Sequence, residues 1–122
     1  MDFQELIFDD SGPIYLQVVK YFKKKLLTGE LQHGDELPSR RIMSATLGLN
    51  LTTIQKIYKQ LEEERLIDTQ PNSKTTVCVT EEKLSEIKQE LVEGQIEKFI
   101  EELKSCQVSR EVALSIINKL WN

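Results

Sequence analysis

Thr52, Thr53, Gln55, Lys56 and Lys59 stand between Ile54, Ile57, Tyr58 and Leu61, which recur at i, i+3, i+4 and i+7. That period puts the four apolar side chains on one stripe of a helix and leaves hydroxyls, an amide and two ammonium groups on the other. A face of this composition suits a duplex groove: hydroxyls, lysines and helix N–H groups take phosphate oxygens, and a glutamine amide can pair with the edge of adenine. Asn50 is a suitable N-cap for the helix, which places Leu51 in its first turn.

The preceding segment must hold this helix in place. Ser39 can cap a short helix running through Met43 to Leu47, with Arg40 and Arg41 in its first turn, and Gly48 supplies the turn between the two helices. The spacing is that of a helix-turn-helix, whose second helix enters the major groove. An ordinary hairpin in a small helical bundle shows the same apolar spacing, so the pattern does not separate the two by itself.

Upstream, Ile14 to Leu27 carries a stripe of Tyr15, Val18, Val19, Phe22 and Leu26, opened by Pro13 and closed by Gly29 as a C-cap, which predicts a supporting helix. Downstream, Leu66-Ile67 and Thr75 to Val79 are β-prone runs separated by the turn-forming residues 70–74. The expected fold is therefore mainly α with a small β-hairpin: a winged helix-turn-helix over 1–79, followed by a helical tail over 80–122. The wing tip, with Asn72, Ser73 and Lys74, is expected to lie along phosphates or in the minor groove.

The motifs Pro13-Ile-Tyr15-Leu-Gln17, Gly29-Glu-Leu31, Gly34-Asp-Glu-Leu37-Pro38-Ser39, Arg41, Leu47-Gly48, Thr53, Tyr58 and Leu61 stand in one order and spacing across about Pro13 to Val79. In these the chain resembles the GntR family of bacterial transcription regulators. The resemblance implies that Arg41 contacts a guanine or the DNA backbone and that Thr52 and Thr53 hold phosphates at the start of the recognition helix. Asn50 stands where relatives carry serine or threonine, Leu51 and Gln55 replace arginines, and Pro71-Asn72-Ser73 replaces a glycine-rich wing tip. Losing a bidentate arginine removes roughly 1–3 kcal/mol of discrimination for its guanine, so a more A·T-rich operator or weaker binding is expected. Leu51 is read either as a contact to thymine methyls or as an exposed leucine without a DNA role.

Charge follows the same division. The chain carries a net −4, yet from Ile14 to Gln60 eight basic residues, among them Lys20 and Lys23 to Lys25, face three acidic ones, a local +5. From Thr80 onward six basic residues face nine acidic ones, a local −3. A basic reading head on an acidic remainder fits one DNA-facing surface, although lysines on the supporting helix can equally solvate its outside.

Thr80, Glu81 and Glu82 form an N-cap and acidic first turn for a long helix. Its stripe of Leu84, Ile87 and Leu91 continues through Val92, Ile96, Phe99, Ile100 and Leu103, with a shift near Gly94 that marks a kink or a close packing contact. After a break at Ser105 to Ser109, a shorter helix capped by Ser109 carries Ala113, Ile116, Ile117 and Leu120, with Trp121. Two helices in some forty residues cannot bury these stripes against each other alone, which predicts a homodimer; the alternative is a monomer whose tail helices fold back on the winged helix. The tail also resembles that of the YtrA-type subgroup of the family, which implies dimerisation and, through two-fold symmetry, an inverted-repeat operator.

A secretory signal and a membrane span are not expected, because the opening residues are acidic and no apolar run approaches ~20 residues; a cytoplasmic protein is expected. Cys78 and Cys106 are far apart and suggest neither a zinc site nor a disulfide. The sole histidine, His33, reads as a solvated turn residue. Without a catalytic constellation or cofactor motif, an enzyme is not expected. The tail is too short for an added effector domain, so an unidentified small-molecule effector would have to use a groove beside the tail or at the dimer interface. The main expectation is a homodimeric transcriptional repressor on a double-stranded operator. Its competitor is a degenerate winged helix that dimerises through its tail without base readout.

Overall fold

A computed structural model describes residues 6–71 and 74–122. Five helices and a three-stranded antiparallel sheet follow one another as α1 (Ile14–Thr28), β1 (Glu36–Leu37), α2 (Arg40–Leu47), α3 (Leu51–Glu63), β2 (Ile67–Thr69), β3 (Thr75–Val77), α4 (Glu81–Ser105) and α5 (Arg110–Leu120). The chain divides into two compact units, Met1–Ile87 and Lys88–Asn122, with the division inside the residues of α4.

Local signals account for the helix ends. Ser39 Oγ accepts the Ile42 N–H, Asn50 Oδ1 accepts the Thr53 N–H and Ser109 Oγ accepts the Val112 N–H, each satisfying a first-turn donor that the helix itself cannot. Gly29 and Gly48 end α1 and α2 in the left-handed conformation, at φ +81° and +67°. Arg65 adopts the same conformation at φ +60° without being glycine.

In the first unit α1 and α2 both pack on α3. Val18, Val19, Phe22 and Leu26 of α1, Met43 of α2 and the expected α3 stripe of Ile54, Ile57, Tyr58 and Leu61 are buried together with Leu66, Ile67 and Val77 of the wing. The wing holds one strand more than expected. β3 lies at the centre of the sheet, with β2 paired from Ile67↔Val77 to Thr69↔Thr75 and β1 paired through Leu37↔Thr75. The strands are also displaced from the expected runs: Leu66 precedes β2, and Cys78 and Val79 follow β3. His33 is more than a solvated turn residue, because its Nδ1 accepts the Val79 N–H at 3.1 Å and ties the turn before β1 to the end of the wing.

α4 runs through Gly94 without interruption, and among the described residues of the single chain a Cβ there would meet nothing within 4 Å. Ile87, expected to face a partner copy, is instead 2% exposed and belongs to the core of the first unit. Residues 88–122 behave differently: none of them is buried. Within this second unit Ile96, Phe99, Ile100, Leu103, Ile117 and Leu120 line a groove of about 1000 Å³, and Leu120 and Trp121 are 74% and 81% exposed. Among the described residues no helix is long and apolar enough to cross a membrane.

Candidate nucleic-acid interface

The start of α3 carries the candidate reading face. Asn50 is fixed by its own cap: its carboxamide oxygen is engaged at 2.9 Å by the Thr53 N–H, which leaves its amide hydrogens as donors. The N–H groups of Leu51 and Thr52 have no partner among the described residues and stand at the positive end of the helix dipole. Thr52, Gln55, Lys56 and Lys59 are exposed on one side of α3, with Thr53 half-buried, while the apolar stripe on the other side is fully covered. A helix anchored in this way can present hydroxyls, free N–H groups and two ammonium ions to phosphates, and the Gln55 amide to a base edge. Leu51 is 42% exposed beside them.

α2 adds Ser39 and Arg41. The Ser39 hydroxyl oxygen accepts from Ile42, so its own hydrogen stays available to an acceptor. Arg41 is exposed and makes no ion pair among the described residues. Arg40 is placed differently. Its Nη2 lies 3.4 Å from Glu62 Oε1 and its guanidinium carbon 4.7 Å from the centre of the Tyr58 ring, so the side chain is directed back onto α3. Tyr58 in turn donates its hydroxyl to the Pro38 carbonyl at 2.6 Å. Burial pushes the Tyr58 phenol up to about 12, against the opposing influence of Arg40.

The basic surface is thinner than the residue count suggests. Lys23 is buried and lies 2.6 Å from Glu64, and Lys25 is buried with its Nζ 2.6 Å from Glu30 and over the Tyr21 ring. Both hold the first unit together instead of facing a duplex. Lys20, Lys24, Arg41, Lys56 and Lys59 remain exposed without a carboxylate partner among the described residues. At the wing, Lys74 is exposed and its carbonyl accepts the Gln70 N–H at 2.6 Å; Asn72 and Ser73 lie outside the described residues.

Sequence reasoning missed Glu62 and Tyr58 as neighbours of Arg40, since the signal is a contact over about twenty residues. The i, i+4 spacing of Tyr58 and Glu62 on one face of α3 is the local hint that it left behind.

Known proteins resemble this chain in sequence and fold. The family model described as bacterial regulatory proteins, gntR family, matches residues 14–77. The regulator YhcF of Bacillus subtilis is 32% identical over 107 residues, covering 88% of each chain. The transcriptional repressor YtrA of the same organism is 33% identical over 110 residues, covering 90% of this chain and 80% of its own. A GntR family transcriptional regulator from Listeria monocytogenes superposes with a TM-score of 0.80 at 31% identity, covering 93% of this chain and 99% of that structure.

Proposed function

The chain belongs to the gntR family of bacterial regulatory proteins and is a DNA-binding transcriptional regulator, not an enzyme, and we propose that it acts in the cytoplasm as a homodimeric repressor. The single observation that carries the DNA reading is the start of α3, where open N–H groups, Thr52, Gln55, Lys56 and Lys59 share the uncovered side of a helix whose other side is buried. In this reading α3 enters the major groove, Arg41 and Ser39 approach from α2, and Lys74 with its neighbours on the wing meets the flanking backbone. The repressor assignment draws on the similarity to YtrA, which is named a repressor.

The homodimer is supported by the second unit. Thirty-five residues with no buried side chain cannot hold two helices on their own, and the apolar side chains of α4 and α5 need a cover. A second copy of the same hairpin supplies an equal apolar surface, and the resulting two-fold symmetry would present two α3 helices to an inverted repeat.

The test is a gel shift with duplex DNA from the region upstream of the protein's own gene, repeated across a salt series. A shift that weakens steeply with salt and is lost in Arg41→Ala is expected; no shift at low salt with wild-type protein would defeat the proposal. Binding without sequence preference would favour the second reading, a winged helix that associates through its tail without base readout, which the replacement of arginine by Leu51 and Gln55 supports.

A further inference from the structure

Glu62 stands at a junction that the reading face does not explain. Its Oε1 accepts both the Thr69 hydroxyl of β2, at 2.9 Å, and the Arg40 guanidinium at the start of α2, at 3.4 Å. The Thr69 hydroxyl also lies 3.5 Å from that of Thr75 across the wing, and Thr75 pairs with Leu37 in β1. Beneath them the Tyr58 ring supports the Arg40 guanidinium and its hydroxyl holds the Pro38 carbonyl. One carboxylate thus joins three elements that would have to engage a duplex together: α2, α3 and strand β2 of the wing.

Distance along α3 separates this junction from the reading end. Glu62 lies eleven residues beyond Leu51, which at 1.5 Å per residue is roughly 16 Å along the helix. A guanidinium held there, stacked on an aromatic ring and bonded to a carboxylate, is not poised beside Thr52.

We infer that Glu62 is a positioning residue for DNA reading: it holds Arg40 and Thr69 so that the wing keeps a fixed aim relative to α3, and Arg40 sets this aim instead of neutralising a phosphate. The inference rests on the DNA-binding reading for its purpose, but the junction itself is testable without DNA.

Two measurements decide it. The first is hydrogen exchange on the free protein. Glu62→Ala is expected to speed exchange several-fold at the amides of Thr69 and of Thr75 to Val77 while leaving those of α1 unchanged, and Glu62→Gln, which keeps an acceptor for Thr69, is expected to give a smaller change. Unchanged wing exchange, or an equal rise in α1, would overturn the proposal.

The second is the salt dependence of binding to a mixed-sequence duplex. Lys56→Gln is expected to lower the slope of log K against log salt by about one, the value of a single phosphate contact, whereas Arg40→Gln leaves the slope at its wild-type value while weakening affinity several-fold. A slope lowered as much by Arg40→Gln as by Lys56→Gln would show Arg40 on a phosphate and overturn its assigned role. Wild-type protein that fails to bind at low salt would defeat the DNA-binding reading instead, with the exchange result still deciding whether Glu62 holds the wing.

Discussion

The Nζ of Lys23, in the middle of α1, lies 2.6 Å from Oε1 of Glu64, the residue that ends α3. Burial raises the Glu64 carboxyl, but hydrogen bonds from Lys23 and Gln60, together with the charges of Lys23 and Lys83, outweigh it and hold the group below its ordinary value. The pair fixes the supporting helix against the far end of the recognition helix.

Because the Glu64 pKa is depressed in the folded state, its contribution to stability is present above the ordinary carboxylate value and is lost as pH falls through the folded one. Lys23→Met leaves the partly buried carboxylate without its cation and is expected to cost about 1–3 kcal/mol at neutral pH. Urea unfolding across the acid range checks both parts: the variant is expected to be less stable at neutrality and to lose less on acidification.

Tyr58→Phe removes the hydrogen bond to the Pro38 carbonyl and is expected to destabilise by about 1 kcal/mol. The raised phenol adds a pH signature: its share of stability is complete below the ordinary value of 10.0 and is lost as pH rises towards about 12. Thermal unfolding in the alkaline range is expected to show a shallower decline for the variant than for the wild type.

Arg65 turns the chain from α3 into the wing at a φ that favours glycine. Arg65→Gly is expected to stabilise the protein by about 0.5–1 kcal/mol, the relief of left-handed strain less the added entropy of the unfolded chain. Chemical denaturation measures the gain; a loss of stability would show that the arginine side chain makes a compensating interaction.

Phe99→Glu places a charge in the apolar groove of the second unit and is expected to convert the proposed dimer to monomer in sedimentation. Trp121 is the sole tryptophan and is 81% exposed in the single chain, so its emission is expected to shift to the red in this variant if a second copy covers it in the wild type. A monomeric wild type would rule out the dimer directly.

Legibility in the sequence followed the range of the interactions. Ser39, Asn50 and Ser109 were readable as caps because each acts within three residues, and the α3 stripe was readable because helical periodicity is itself local. β1 was not, since two residues carry no period and only pairing with β3 makes them a strand. The lysines of α1 could be counted but not assigned: Lys23 and Lys25 turned inward to Glu64 and Glu30, while Lys20 and Lys24 stayed exposed.

Neighbouring residues spell out the caps, the turn glycines and the apolar periods, and with them the helices and the β-prone runs of the wing, while the helix-turn-helix reading came from the order and spacing of motifs that resemble the gntR regulators. Which charges are available depended on long-range packing. Arg40 and Arg41 are adjacent in the chain, yet one is drawn onto Tyr58 and Glu62 and the other remains exposed. Ile87 and Ile96 are both apolar residues of α4, yet one is closed into the first unit and the other is half exposed. A side chain's role depends on which distant groups the fold brings within a few ångströms of it, and neither residue type nor spacing along one helix carries that information.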